Sequence, residues 1–212
     1  MKTVIFDLDG TLLDVREGFY WQFQELTRIY DGAPISKEMI NAAAHGTTEQ
    51  IIRALVRNTA VPFDDICKQH AVIRLEAYNR HLKLYEGVAE LLPILKRMGV
   101  KVAALTSGNE MTVSCLERTG IHHHFDVVVS AEHIEHPKPH PEGIDLIVER
   151  LGVEPADCIM VGDSVVDILA GRNAEIGKTV GVTHGFAHVD ALRAAGADHI
   201  ITDIPSLLDV IE

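Results

Sequence analysis

Residues 4–14 read VIFDLDGTLLD, an apolar run that meets acids at Asp7 and Asp9 and then a glycine at Gly10. A carboxylate at the edge of an apolar core costs free energy unless it is paired or holds a metal. Two acids so close to a strand end therefore ask what the rest of the chain brings to meet them. Outward from here, five further apolar runs resemble residues 3–7, at 100–106, 126–130, 158–162, 179–183 and 199–202. They are rich in Val and Ile and lack alternating polarity, the pattern of strands buried on both faces of a parallel sheet. Helical patterns fall between them, at 88–98, 110–119, 141–151, 165–174 and 190–194. This alternation predicts a doubly wound parallel α/β sheet covered by helices on both sides.

Residues 15–85 break the alternation. Apolar positions at helical spacing run from 17 to 30 and stop at DGAP, residues 31–34. Ser36 can cap a short helix that Gly46 ends. Thr47 and Gln50 have capping-box spacing for a helix reaching 59, with Pro62 as its stop, and Asp64 opens a long helix towards Tyr85. Four helices inserted after the first strand predict a helical domain, 15–85, joined to a core made of 1–14 and 86–212. Two crossings, near 14–16 and 83–87, would let such an insertion open and close as a lid. Phe19, Trp21, Phe23 and Tyr30 are expected to pack inside the insertion. Charge separates the same segments: residues 15–85 hold nine Lys and Arg against eight Asp and Glu, net +1, so the remainder carries −13 of the overall −12.

The chain has 212 residues, 47% of them hydrophobic, enough for one full core and a smaller second one. Its net charge of −12 argues against nucleic acid as a partner, because phosphate backbones need a basic surface. No apolar run approaches the roughly 20 residues that span a bilayer, and the N-terminus is acidic where a signal peptide is basic. A soluble, cytoplasmic protein with no membrane partner is expected. Cys67, Cys115 and Cys158 are far apart and odd in number, which suits reduced core residues rather than disulfides.

Ligands of open parallel sheets sit beyond the carboxyl ends of the strands. Beyond the first four predicted strands lie, in turn, DLDGT (7–11), TSGN (106–109), HPKPHP (136–141) and GDSVVD (162–167). The topology thus gathers Asp7, Asp9, Asp163 and Asp167 with Thr106 and Lys138. Four carboxylates so placed repel one another, and a hard cation with oxygen ligands relieves them. Mg²⁺ suits this best, since it takes one or two carboxylates plus water and a phosphate oxygen. Acids beside a lysine and a hydroxyl suit a phosphoryl group, and an aspartate can serve as its nucleophile.

In order and spacing these four segments resemble the motifs of the haloacid dehalogenase-like phosphatase superfamily, over essentially the whole chain. The resemblance implies a Rossmann-like core with an inserted α-helical cap. It also implies that Asp7 is the nucleophile, and that Asp9 is the general acid and then the base that activates water. Gly10 would permit the turn and Thr11 would fix it. Thr106 would hold phosphate oxygens with the backbone N–H groups of Ser107 and Gly108, and Lys138 would bridge nucleophile and phosphate. Mg²⁺ would be held by Asp163, the Asp7 side chain and the Asp9 carbonyl, with Asp167 behind them. True dehalogenases lack the second acid, so Asp9 favours phosphoryl transfer.

The insertion resembles the small cap of the phosphoglycolate phosphatase, pyrophosphatase and β-phosphoglucomutase branches. Residues 45–50 are then the candidate specificity loop, with His45, Gly46 and Thr47 at its start and Arg53 placed to meet a second anionic group. The expected protein is a Mg²⁺-dependent phosphatase, a monomer or weak homodimer, acting on a small phosphorylated metabolite or a phosphoanhydride. A phosphomutase is the alternative. A signalling module phosphorylated on Asp7 is disfavoured, because it needs neither Asp9 nor a cap. His122, His123 and His124 read as a connection, and His133, His136 and His140 as solvated loop residues. AGRNAEIG, 170–177, has Glu175-Ile176 after Asn173-Ala174 where relatives more usually have an Ala-Gly pair, a departure that touches helix ending and packing more than chemistry.

Overall fold

The computed structural model of the chain describes residues 2–44, 47–58 and 60–211. The elements run β1 (Thr3–Phe6), β2 (Leu13–Asp14), α1 (Arg16–Asp31), α2 (Lys37–Ala43), α3 (Thr48–Leu55) and α4 (Phe63–His81). They continue with β3 (Lys83–Leu84), α5 (Val88–Arg97), β4 (Lys101–Leu105), α6 (Glu110–Arg118), β5 (Val127–Val129) and α7 (Glu142–Leu151). The chain closes with β6 (Cys158–Gly162), α8 (Val165–Asn173), β7 (Lys178–Val182), α9 (Val189–Ala194), β8 (His199–Ile201) and α10 (Leu208–Ile211). Two compact units result, one of Val15–Leu82 and one of the chain on either side of it.

The second unit is a parallel six-stranded sheet in the order β5-β4-β1-β6-β7-β8. β1 is central and wholly buried, its Phe6 in register with Ala104 of β4 and Val161 of β6. Ile5, Leu105, Val129, Ile144, Ile147 and Met160 lock strands to helix in one core cluster. Each such side chain contributes about 1.5–3 kcal/mol by leaving water. The strand order reverses about β1, so a crevice opens beyond its carboxyl end. The ladder reaches into that crevice: Asp7 N–H donates to Val161 O at 2.9 Å, and Thr106 N–H to Val129 O at 3.0 Å.

Val15–Leu82 forms α1 to α4 around Phe23, Leu26, Ile40, Ile52, Ile66 and Ile73. Phe19, Trp21 and Tyr30 pack against this cluster, as core residues do. α3 ends at Leu55 rather than 59, because the Asp31 carboxylate takes the N–H groups of Arg57 and Asn58, the latter at 2.8 Å, and Val56 is extended. α4 ends at His81, not at Tyr85. Lys83–Leu84 instead pairs antiparallel with Leu13–Asp14, so residues 83–85 belong with the sheet unit.

α8 ends where the sequence is unusual. Ile176 N–H reaches back to Gly171 O at 3.2 Å, and Glu175 adopts the left-handed conformation, φ 52°, that glycine usually fills. Among the described residues no helix is long and apolar enough to cross a membrane.

Candidate active site

Asp7 follows β1 directly and is buried, with its carboxylate shared between two neighbours. Lys138 Nζ lies 2.5 Å from Asp7 Oδ1, and the Thr11 hydroxyl lies 3.4 Å from Asp7 Oδ2. Lys138, itself buried, also donates to Asp167 Oδ1 at 2.6 Å and to Leu105 O at 3.1 Å. Its three N–H donors therefore meet three acceptors, which fixes the ammonium in place. Burial would strip Lys138 of its proton, but Asp167 and Asp7 outweigh that and hold its pKa above the ordinary lysine value.

Burial likewise pushes the Asp7 carboxyl well above the usual carboxylate range; Lys138 opposes the shift, while Asp167 and Asp163 add to it. Asp163 is pushed up to about 6, by burial first and then by Asp167. The Asp163 carboxylate is held by Phe186 N–H at 2.7 Å on Oδ2, and its Oδ1 lies 3.3 Å from the Thr11 hydroxyl, whose single proton Asp7 and Asp163 compete for. Gly10 makes this approach possible. Its φ is 95°, and a Cβ there would stand 2.5 Å from Asp163 Oδ2.

Asp167 serves the helix and the lysine at once. Its Oδ2 accepts from Ser164 N–H at 3.0 Å and from the Ser164 hydroxyl at 2.5 Å, closing a capping box on α8, while Oδ1 takes Lys138. Half-buried Asp9 lines the same cleft as Asp7, Thr106, Ser107, Gly108, Lys138 and Asp163. Thr106 Oγ1 accepts from Gly108 N–H at 2.9 Å, so that N–H is spent inside the loop, and the hydroxyl proton of Thr106 is left to donate elsewhere.

Ligand oxygens of Asp7, Asp163 and Asp167 lie within 4.8 Å of one another. Three carboxylates against one ammonium leave two negative charges when all are ionised. A cation there would offset both the burial and, after it, the neighbouring acids that push Asp7 and Asp163 up. An all-oxygen donor set with this charge fits a hard divalent cation.

His45 and Gly46 are outside the described residues. Thr47 caps α3, its hydroxyl accepting from Gln50 N–H at 3.3 Å while the Gln50 side chain takes Thr47 N–H at 2.8 Å. Arg53 is exposed and lays its guanidinium 3.5 Å from the centre of the Phe63 ring. His122–His124 forms a short 3-10 turn between α6 and β5.

One stretch of the site escaped the sequence reading. Residues 183–186, THGF, succeed β7 as the four motifs succeed their strands. Phe186 holds Asp163, and a Cβ on Gly185 would stand 2.2 Å from Asp163 Oδ2. His184 Nε2–H donates to Thr11 O at 3.0 Å, and its ring lies 4.0 Å from that of Tyr85. Inspecting the end of the fifth strand as well as the first four finds all three.

Buried acids and a lysine at the switch point of a doubly wound sheet define an acid-based hydrolase site. The chain belongs to the haloacid dehalogenase-like hydrolase family, whose match spans residues 4–182. It is 30% identical to the pyrophosphatase PpaX of Bacillus velezensis, over 99% of this chain and 96% of that one. With the PpaX of Halalkalibacterium halodurans it shares 31%, over 100% of this chain and 97% of that one. Among solved structures it is similar to a putative β-phosphoglucomutase from Thermotoga maritima, with TM-score 0.87, 26% identity, and 100% and 98% of the two chains covered. A predicted phosphoglycolate phosphatase from Haemophilus somnus shares the fold, with TM-score 0.88, 22% identity, and 100% and 98% covered.

Proposed function

We propose that the chain is a Mg²⁺-dependent phosphatase that hydrolyses a small phosphorylated metabolite or a phosphoanhydride through an aspartyl phosphate on Asp7. The observation that carries this reading is Asp7 itself, buried at the end of the central strand with Lys138 at 2.5 Å and Asp9 lining the same cleft. Asp7 Oδ attacks phosphorus, and the bond to the leaving oxygen breaks as Asp9 gives that oxygen its proton. Asp9, now a carboxylate, takes a proton from water as the water attacks the phosphorus of the acyl phosphate. Phosphate leaves, and Asp7 is regenerated.

Asp7, Asp163 and the Asp9 carbonyl would hold Mg²⁺, which supplies charge to the phosphoryl oxygens and keeps Asp7 ionised. Lys138 adds a second positive charge, and Asp167 holds Lys138 in place. The Thr106 hydroxyl and the Ser107 N–H would receive the phosphoryl oxygens. The helical unit would select the remainder of the substrate, as the resemblance implies, with Arg53 the candidate for a second anionic group.

The pyrophosphatases at about 30% identity make a phosphoanhydride the first substrate to try. A mutase is the second reading, favoured by the likeness to the Thermotoga protein. The deciding experiment is phosphate release from pyrophosphate, small phosphomonoesters and nucleotides, each with Mg²⁺ and with chelator. Mg²⁺-dependent release supports hydrolysis. Isomerised sugar phosphate without free phosphate selects the mutase, and silence across the panel moves weight from hydrolysis to the mutase, with trapping of an aspartyl phosphate on Asp7 as the next test.

A further inference from the structure

Residues 136–142 read HPKPHPE, and the side chains flanking Lys138 gather on its own loop. His136 and His140 are exposed and stack their rings, with centroids 4.6 Å apart and planes 30° from parallel. Glu142 lies beside them, its Oε2 2.8 Å from His136 Nδ1 and 3.9 Å from His140 Nδ1. One ligand atom from each of the three lies within 4.8 Å of the other two. Ligands of a tetrahedral zinc, about 2.0–2.1 Å from the ion, stand about 3.3 Å apart. The cluster need close by no more than about 1.5 Å, a movement that rotation of two exposed rings supplies.

We propose that His136, His140 and Glu142 form a second metal site, for a divalent transition-metal ion of the zinc class, on the loop that carries Lys138. Its donor set differs in kind from that of the acid cluster. Two imidazoles and one carboxylate suit a borderline ion such as Zn²⁺, whereas oxygen-only donors suit Mg²⁺. The carboxylate is already oriented: Glu135 N–H donates to Oε1 at 2.8 Å, and His136 N–H to Oε2 at 2.9 Å. Backbone bonds of this sort raise affinity by holding a ligand in its bound direction. Pro137, Pro139 and Pro141 restrict the loop, so ordering it on the ion costs little conformational entropy. His140 Nδ1 accepts from Glu142 N–H at 3.2 Å, so this nitrogen carries a lone pair that the ion would take over. His136 would lose the proton it shares with Glu142, and the ion would take the proton's place. Water would fill the fourth position.

The test is Zn²⁺ binding to the full chain in saturating Mg²⁺, which occupies the acid cluster. Wild type is compared with His136→Ala, His140→Ala and, as a control on another histidine turn, His123→Ala. Imidazole nitrogen resonances are followed in parallel. Wild type and His123→Ala should bind one more equivalent of Zn²⁺ than either loop variant, and the His136 and His140 signals should shift. Equal Zn²⁺ binding by wild type and both loop variants, or unmoved His136 and His140 resonances, overturns the site. Neither readout uses turnover, so the outcome stands apart from the proposed phosphatase activity.

Discussion

Lys138 Nζ stands 2.5 Å from Asp7 Oδ1 and 2.6 Å from Asp167 Oδ1, joining by one ammonium the end of β1 to the first turn of α8, the helix that follows its neighbouring strand β6. Removing one partner of a buried ion pair leaves uncompensated charge. Lys138→Met is therefore expected to cost about 3–5 kcal/mol in stability. It should also cost about 10²–10³-fold in turnover, since one donor to the developing phosphoryl charge is gone. Denaturant titration and steady-state kinetics on the same preparation check both, and unchanged stability would show that the lysine is not the counterion drawn here.

Asp7 and Asp9 should part company when each becomes an amide. Asp7→Asn cannot form the acyl phosphate, so turnover should vanish while the fold persists. Asp9→Asn should slow turnover by about 10²–10⁴-fold with Mg²⁺ affinity largely kept, because its metal contact is expected to be the carbonyl. Mg²⁺ titrations of both variants decide it: lost affinity in Asp9→Asn contradicts the division of roles.

Gly185 has no side chain of its own, yet a substitution there should reach the acid cluster. A Cβ at this position would stand 2.2 Å from Asp163 Oδ2, so Gly185→Ala must displace the carboxylate. Half-saturating Mg²⁺ should rise about 10–100-fold, the range seen when groups behind a metal ligand are disturbed. An unchanged Mg²⁺ dependence of turnover would exclude Asp163 from the metal site.

His70 is expected to weaken the helical unit in acid. It is buried, stacked 5.1 Å from Phe23, and its pKa is lowered by burial, then by Arg74, from 6.5 to about 4. A folded-state pKa below the unfolded one gives stability that is complete above pH 6.5 and is lost as pH falls through 4. The size is about 3 kcal/mol. His70→Leu should remove that part of the pH dependence between pH 7 and pH 4.5, read as a smaller fall in melting temperature than in wild type.

Glu175 offers a gain rather than a loss. A left-handed residue with a Cβ is strained where glycine is not, so Glu175→Gly should stabilise by about 0.5–1 kcal/mol and leave turnover unchanged. Thermal melts with and without Mg²⁺ measure it.

The parallel sheet was legible because its strands are buried on both faces and so read as plain apolar runs. The four motifs were legible because three directly follow the carboxyl end of a strand and the fourth, 136–141, comes a short turn after β5. β2 and β3 were not, since two residues carry no periodicity. α3 overran its true end in the sequence reading because the acceptor that stops it, Asp31, lies on another helix, and only the fold brings it near Arg57 and Asn58. Gly108 was expected to offer its N–H to phosphate, but Thr106 two residues earlier takes it. The histidines around Lys138 looked like solvent-facing loop residues for a related reason. They are exposed, as that reading has it, and the turn of the loop decides which side chains of 136–142 face one another.

The β2–β3 pairing bears on how such a chain can diversify. Asp14 and Lys83 are register partners in a two-stranded ribbon, and Tyr85 N–H returns to Leu12 O at 3.0 Å. The sheet unit thus closes its own hairpin stem at the point where the long insertion departs. A segment spliced between those partners can vary in length and sequence without moving the stem, in the way domain insertions succeed where both chain ends already meet. Asp7, Asp9 and Asp163 lie on the stem's side of that junction, so under the proposed function an exchanged cassette would change what is bound and leave the acids in place.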